Sequence, residues 1–424
     1  MNKNNYFRKA MALLACALLV TLPLALKASS AETLEQKLAT LSSETGEQLY
    51  LIGAGLYDIT GPAAEVGMMG FAESDQKTEG IYMRLWSRAY IVGDLEKRVV
   101  FVSADLGMIF QSVKQGVVNK ITEDPELSEY YGDDNVLLSA THTHSGPGGY
   151  SHYFMYNVTT SGFISENYDL IVDGIYQSIK RAHNNLAPGR VFINQGDLYN
   201  ASMNRSPLAY ANNPEEERAQ YASDVDSTMT LLRLQQHDGT DIGMINWFAV
   251  HPTSIGPTNK LIGGDNKGLA SYFFEKDAGT DYVSDSTFVA AFAQSNTGDV
   301  SPNLWGPADG EHDYERQNII ASRQYEKARY LYDSATESLT GLVDYRHTYL
   351  DMSNVYVESA GVTTCPSAMG ASFSAGSTED NAVSVPLFDE GVTVDSLEWN
   401  EEARDTFLQS FLSGFVAIAW PDSL

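Results

Sequence analysis

The chain contains 424 residues, of which 43% are hydrophobic and 11% are aromatic. This composition is sufficient for large packed cores and excludes a disordered protein. The net charge of −28 excludes nucleic-acid binding, because phosphate backbones repel so acidic a chain. The one long apolar run stands at the N-terminus, so the body of the chain is not an integral membrane protein.

The first 31 residues have the layout of a secretory signal peptide. Basic residues at positions 3, 8 and 9 precede an apolar run over 10–26, and small residues follow at 28–31. This order predicts cleavage near Ala31 and export of the chain, so that the protein is secreted or periplasmic. A membrane anchor is the alternative, but the run is short for a span and contains a threonine and a proline. The remaining residues, 32–424, are expected to be the folded part.

From about Tyr50 onward, apolar β-rich runs alternate with helical patterns, which predicts an α/β or α+β fold with mixed β-sheets flanked by helices. The predicted strands are 89–92, 99–103, 136–140, 191–195, 229–235, 242–250 and 289–295. The predicted helices are 106–122, 168–186, 268–276, 318–341 and 396–413. Polar segments follow three of these strands, at 142–149, 251–255 and 296–303, where side chains at strand ends can converge.

Two histidines follow the predicted strand at 136–140. His142 and His144 stand at positions i and i+2 and therefore point to the same side of an extended chain. Neutral imidazole is a good ligand for zinc, so one or both of them could bind a metal. Two surface histidines in a turn are the alternative. His251 leaves the predicted strand at 242–250 directly before a proline, as a second candidate ligand or as a hydrogen-bonded structural histidine.

Two further motifs carry candidate polar groups. Ser301 lies between a glycine and a proline, with the amide of Asn303 close by, and such a loop can present a hydroxyl and donor groups to a carbonyl oxygen. Taken alone, this segment is equally a plain turn. Arg205 lies in an Asn-Arg-Ser-Pro segment of a strongly acidic chain, where it either anchors a polar substrate group or forms an ion pair.

Seven motifs occur in a fixed order that closely resembles the neutral/alkaline ceramidase family, from about Leu51 to Asn381. They are GPAAEVGMMG from Gly61, THTHSGPGGY from Thr141, NRSP from Asn204, NWFAVHPTS from Asn246, GDNKG from Gly264, NTGDVSPN from Asn296 and TCPSAMG from Thr364. Each motif alone is modest, but the ordered set is specific.

This resemblance implies zinc-dependent hydrolysis of the amide bond of ceramide to sphingosine and a free fatty acid. By motif position, the implied roles are His142 and His251 as zinc ligands, His144 as a proton-transfer or oxyanion group, Ser301 as the catalytic serine, and Arg205 and Asn303 as substrate-binding residues. Either Ser301 attacks the carbonyl and forms an acyl-enzyme, or zinc-bound hydroxide attacks while Ser301 donates a hydrogen bond. The lipid substrate also implies transient contact with a membrane surface.

The chain departs from the family in its length. Family members continue further, with a Glu and a Tyr as additional zinc ligands and an immunoglobulin-like domain. We therefore expect residues 32–424 to be the N-terminal portion of the catalytic domain, to bind zinc weakly and to be little active without a complementing C-terminal fragment. Substitution of another carboxylate, such as Asp105 or Asp265, for the absent ligands would overturn this expectation.

Two other classes of function remain as alternatives. A binuclear metallohydrolase of the amidohydrolase type would use the paired histidines, but its barrel needs a regular rhythm of strand-helix units that this chain lacks. An inactive, secreted, ceramidase-like lipid-binding protein is the second alternative. Replacing Ser301 by alanine separates it from an enzyme, because hydrolysis would be abolished while lipid binding is spared.

Overall fold

The computed structural model describes residues 33–366 together with Ser377, Glu379 and Glu390. The predicted signal peptide over 1–31 and the predicted helix over 396–413 lie outside these residues. Within the described part, no helix is both long enough and apolar enough to cross a bilayer.

The described residues form eight α-helices and seventeen strands, many of them only two residues long. Helices α1 to α8 are Leu34–Thr45, Gln111–Glu123, Phe154–Asn157, Ser165–Asn184, Pro207–Tyr210, Glu215–Arg218, Asp265–Asp277 and Asp313–Asp333, and a 3-10 turn spans Met352–Asn354. Strands β1 to β17 are Tyr50–Asp58, Met68–Met69, Gly80–Ile81, Trp86–Gly93, Arg98–Ala104, Val136–Ala140, Gly146–Pro147, Ala187–Asp197, Met203–Asn204, Thr228–Gln236, Asp241–Phe248, Leu261–Ile262, Val289–Gln294, Val300–Ser301, Glu337–Ser338, Tyr356–Val357 and Val362–Thr363.

One nine-stranded sheet organises the molecule. Its strand order is β13-β11-β10-β8-β1-β4-β5-β6, and β15 adds to β8 outside this path. The pairs β11–β13 and β5–β6 are parallel, whereas the other pairs along the path are antiparallel. The predicted class, mixed β-sheets flanked by helices, is confirmed.

The two faces of this sheet bury different cores, because successive side chains of a strand point to opposite faces. On β1, Leu51 belongs to a core with residues of α2 and α4, whereas Ile52 belongs to a core made by strands alone. A third core lies between β10, β11 and β13 and the helices α7 and α8. The helices therefore cover one face, and the strands enclose the other.

The sheet curls around the core made by strands, so that strands far apart in its order come into contact. The hydroxyl of Tyr90 on β4 donates to the carbonyls of Met244 on β11 and Val289 on β13, at 2.8 and 3.0 Å. At the end of β13, Gln294 donates to the carbonyl of Thr141 just beyond β6, at 2.9 Å. The curl therefore brings together the ends of β6, β11 and β13, from which the candidate site residues emerge.

Two elements differ from the sequence prediction. Strand β1 is absent from the predicted strands, and its Gly53 and Gly55 are required because α4 packs directly on it. A Cβ at these positions would lie only 2.1 Å from the carbonyl oxygen of Ala182 and 2.2 Å from that of Ser178. The helix predicted over 318–341 is α8, which ends at Asp333 because residues Glu337–Ser338 pair with β8.

Candidate functional site

His142 leaves the end of β6 in a conformation that is unusual for its residue type. Its backbone has φ of +71°, in the left-handed region that costs a side-chain-bearing residue about 1–2 kcal/mol. The backbone amide donates to Leu106 at 2.9 Å, and the ring Nδ1 lies 2.6 Å from the carbonyl oxygen of Gly107. Because a carbonyl only accepts, Nδ1 carries the proton and Nε2 is left as the lone-pair nitrogen.

His251 is held in the same manner beyond the end of β11. Its backbone amide donates to the carbonyl of Val300 at 2.9 Å. Its ring Nδ1 lies 3.1 Å from that same oxygen and 3.2 Å from the hydroxyl of Thr297. Again the Nδ1 proton is engaged by the backbone, which orients Nε2 as a ligand atom.

The three histidines His142, His144 and His251 converge, with one ring nitrogen from each lying within 4.8 Å of the others. The Nε2 atoms of His142 and His144 are 3.2 Å apart. Two nitrogens bound tetrahedrally to one zinc ion at about 2.0–2.1 Å would be separated by about 3.3 Å, so this spacing fits a shared cation. Three imidazoles also match the number of protein ligands usual in a catalytic zinc site.

The electrostatics of the cluster favour neutral imidazoles. Burial, followed by the charge of Arg205 and the proximity of His142, lowers the pKa of His251 to about 3. Burial and the two neighbouring histidines lower the pKa of His144 well below its usual value, and burial also lowers that of His142. Neutral nitrogens are the form that binds a metal, so the buried cluster keeps its ligand atoms unprotonated near pH 7.

His144 is packed differently from the other two. A Cβ on Gly70 would lie 2.3 Å from its Cγ, so only glycine permits this approach, and φ of +136° at Gly70 requires glycine as well. The ring of Phe71 meets the imidazole edge-on at 4.6 Å. Its buried Nδ1 has no hydrogen-bond partner among the described residues. His144 is therefore fixed by packing and retains an unsatisfied ring nitrogen.

The side chain of Gln294 joins the two histidine-bearing segments. Its Nε2 donates to the carbonyl of Thr141 at 2.9 Å and to that of Val250 at 2.5 Å. These are the residues immediately before His142 and His251. Sequence reasoning missed this role, and only the place of Gln294 at the end of a buried strand, directly before the Asn296 motif, could have suggested it.

Ser301 lies on the same side of the site as His251. Strand β14, Val300–Ser301, provides the carbonyl that binds the His251 ring and pairs with β9. The buried Ser301 hydroxyl donates a hydrogen bond to the carboxylate of Glu379 and accepts one from the amide of Asn303 at 3.0 Å. Asn303 in turn donates to Thr253 at 3.3 Å, two residues beyond His251. Glu379 is a further candidate that sequence reasoning missed.

Arg205 follows β9, beside the same loop. Its guanidinium donates through Nη2 to the carbonyl of Gly298 at 2.8 Å, and its backbone amide donates to Asp299. Its charge is among the causes that lower the pKa of each of the three histidines. Arg205 therefore lies near enough to the cluster for its charge to act on all three imidazoles.

Neither acidic residue named as a substitute ligand joins the histidines. Asp105 binds Arg88 at 2.8 Å, and Asp265 accepts from the amide of Ile255 at 3.0 Å. A second group of metal-binding residue types, Asp133, Asp134 and His347, is at the surface, where Asp133 already accepts from a tyrosine and lies near a lysine. Among the described residues, the histidine cluster is therefore the buried metal candidate.

The family profile and the individual relatives that match this chain all belong to the neutral ceramidases. The sequence profile of the neutral/alkaline non-lysosomal ceramidase family, N-terminal, matches residues 50–411. Neutral ceramidase A of Dictyostelium discoideum is 45% identical over 369 residues, covering 78% of this chain and 51% of the relative. The neutral ceramidase of Pseudomonas aeruginosa is 43% identical over 343 residues, covering 78% and 50%. The chain thus spans about half the length of these relatives.

A solved structure supports the same relationship. A ceramidase complexed with C2 superposes with a TM-score of 0.72 at 43% sequence identity, over 79% of this chain and 52% of that one. The resemblance stated from seven motifs is confirmed, and the fold of the described residues is similar to that of this ceramidase. This chain belongs to the neutral/alkaline ceramidase family.

Proposed function

We propose that this protein is a zinc-dependent amide hydrolase that cleaves N-acylsphingosine, or ceramide, into sphingosine and a free fatty acid. The observation that carries the proposal is the convergence of His142, His144 and His251 beside the Ser301 loop, in a chain of the ceramidase family. The relatives are named neutral ceramidases. A complementing C-terminal fragment and export of the protein are further parts of the proposal.

In this proposal His142 and His251 hold the zinc ion through Nε2. When bound there, zinc supplies a Lewis acid that polarises the amide carbonyl and lowers the pKa of a water molecule. Backbone carbonyls fix the orientation of both rings through Nδ1, so little rearrangement is needed on binding. His144 lies close enough to act as the third nitrogen ligand or to donate its Nε2 proton to the reacting group.

The hydroxyl of Ser301 is the proposed catalytic group. Glu379 accepts its hydrogen bond, and the amide of Asn303 donates to it, so the hydroxyl is fixed in one orientation. In one mechanism its oxygen attacks the carbonyl and its proton passes to Glu379 and then to the leaving nitrogen, so that the amide C–N bond breaks, sphingosine leaves and an acyl-enzyme remains for water to hydrolyse. In the other mechanism the hydroxyl turns away from Glu379 and donates its hydrogen bond to the reacting oxygen. Arg205 and Asn303 are proposed to bind the polar groups of the substrate, since both line the loop that carries Ser301.

The decisive experiment compares the wild type with the variant Ser301→Ala, each with a C-terminal fragment of a family member and without it. We expect hydrolysis of a fluorescent ceramide to fall by about 100-fold or more in the variant, while binding of the uncleaved lipid is unchanged. Equal hydrolysis by both proteins would contradict the role of Ser301. Lipid binding by a wild type that never hydrolyses would favour the lipid-binding alternative.

A further inference from the structure

The segment that follows the candidate site exposes a group of aromatic and apolar side chains. Tyr153 and four further residues form what we call the aromatic surface: Tyr153, Phe154, Met155, Tyr156 and Phe163. Each of them is exposed, and Phe154 exposes 63% of its area. Four of these side chains are consecutive in the chain, so the exposure is concentrated at one place and is unlike the scattered apolar residues normal on a protein surface.

This segment is also free of charge. Residues 135–165 contain no Asp, Glu, Lys or Arg, although 19% of all residues are charged and the net charge is −28. No other run of the chain is uncharged over so many residues. The five side chains of the aromatic surface are themselves uncharged and lose little solvation on entering a less polar medium, whereas the many acidic side chains of the rest of the protein would resist the same transfer.

The aromatic surface is connected to the candidate site by direct contacts. The ring of Tyr156 packs on Phe110 at 5.1 Å, and Phe110 packs on the buried Tyr150 at 5.2 Å. The hydroxyl of Tyr150 donates to the carbonyl of Met108 at 3.2 Å. The preceding residue, Gly107, is the one that orients His142.

We propose that the aromatic surface is the part of the protein that enters the interface of a lipid bilayer with zwitterionic headgroups. Tyrosine and phenylalanine suit that depth, because the rings pack among acyl chains while the tyrosine hydroxyls stay at the headgroup level. The acidic remainder disfavours anionic membranes. The proposal rests on the proposed function only for the location of the substrate, since vesicle binding requires no catalysis.

The test is sedimentation of the full chain with phosphatidylcholine vesicles. We expect the wild type to bind, and the double variant Phe154→Ser/Met155→Ser to bind at least about tenfold more weakly, because two apolar side chains no longer enter the interface. The matched control is Val283→Ser/Leu342→Ser, which changes side chains that are 87% and 83% exposed. Val283 lies between Asp281 and Asp285, and this control should bind as the wild type does.

A second measurement does not depend on a loss of binding. A tryptophan introduced by Phe154→Trp should be quenched by brominated phosphatidylcholine, whereas one introduced by Val283→Trp should not, against the same background of five native tryptophans. Equal quenching, equal binding of the two double variants, or no binding of the wild type would overturn the proposal. Preferential binding to phosphatidylglycerol vesicles would overturn it as well.

Hydrolysis assays distinguish a failure of the proposed function from a failure of the membrane-binding proposal. If the aromatic surface serves catalysis, Phe154→Ser/Met155→Ser should slow hydrolysis of vesicle-embedded ceramide by about the same factor as it weakens binding. It should leave hydrolysis of a water-soluble, short-chain N-acylsphingosine unchanged. Vesicle binding without hydrolysis of either substrate, measured with the complementing C-terminal fragment present, would support the aromatic surface and overturn the proposed function alone.

Discussion

Two buried polar clusters in this protein are built on opposite principles. In the first, Arg88 on β4 binds Glu275 on α7 through two bonds of 2.7 and 3.1 Å and binds Asp105 at 2.8 Å. Burial alone would lower the pKa of Arg88, but the two carboxylates raise it well above its usual value. In the second, three imidazoles lie together, and burial lowers the pKa of each. Opposite charges satisfy each other in the first cluster, whereas the second brings three like groups together.

This difference separates a structural cluster from the proposed metal site. Arg88, Asp105 and Glu275 tie two strand regions to a helix and need nothing from outside the protein. The histidines direct one ring nitrogen each to a common point, where we propose that a cation binds. The first cluster should therefore control the stability of the fold, and the second should control metal affinity.

The largest effect on stability is expected from Arg88→Met, which leaves Asp105 and Glu275 buried without a cation. The free energy of unfolding should fall by about 3–5 kcal/mol, measured by urea denaturation. Arg233→Met is the matched control, because Arg233 binds Asp241 through two bonds in a partly exposed pair. That pair should contribute no more than about 1 kcal/mol. Equal losses in the two variants would show that the buried cluster is not structurally important.

The complementary experiment is His142→Asn. Asparagine tolerates the positive φ of this position, whereas its amide is a poor zinc ligand. The zinc dissociation constant, measured against a competing chelator, should rise about a thousandfold, or about 4 kcal/mol. The free energy of unfolding of the metal-free protein should change by only about 1 kcal/mol, because a single hydrogen bond to Gly107 is altered.

His183→Asn is the control for this experiment. His183 is also partly buried and accepts or donates a hydrogen bond with Tyr131 at 3.0 Å, but it lies outside the cluster. Its replacement should leave the zinc affinity unchanged. If both variants bind zinc as the wild type does, the histidine cluster is not the metal site.

The pH dependence of stability tests a further buried ionisable group, the carboxyl of Asp265, which follows the histidine cluster in this comparison. Burial raises the pKa of Asp265 to about 6. Between about pH 4 and pH 6 the folded protein retains this proton while the unfolded chain has lost it, so the free energy of unfolding falls as the pH rises. The total loss is about 3 kcal/mol for a shift of this size.

The variant Asp265→Asn removes this titration. From pH 4 to pH 7 the free energy of unfolding of the wild type should therefore fall by about 3 kcal/mol relative to that of the variant. Asp344→Asn is the control, because hydrogen bonds from Lys97 and Arg346 lower the pKa of exposed Asp344 to about 2, so this carboxyl is already ionised in the folded protein at pH 4. A flat difference for Asp265→Asn would mean that its carboxyl is already ionised in the folded protein at pH 4.

Sequence reasoning identified His142, His144 and His251 because each follows a strand in a short local motif. It also found the main strands around them, since a run of apolar, β-prone residues is a local signal. It missed β1, because the glycines of this strand are required by its packing against helix α4, which is distant in the sequence. It gave no role to Gln294, because the carbonyl of Thr141 that it binds is 153 positions away. Features that depend on contacts between distant parts of the chain could therefore not be predicted, whereas side chains that directly follow a strand could.

Among the principal effects expected, the smallest is that of replacing Gln294. This side chain bonds the residues before His142 and His251 and is not itself among the proposed metal ligands. Gln294→Leu removes the donor to Thr141 and Val250 and leaves both carbonyls buried, which should lower the free energy of unfolding by about 2 kcal/mol. If Gln294 also sets the spacing between His142 and His251, zinc affinity should fall by about 10- to 100-fold. Gln235→Leu, which removes a bond to Asp241 far from the cluster, is the control. A loss of stability with unchanged zinc affinity would make Gln294 a purely structural residue, and the spacing of the histidines would then depend on the backbone bonds to Gly107 and Val300 alone.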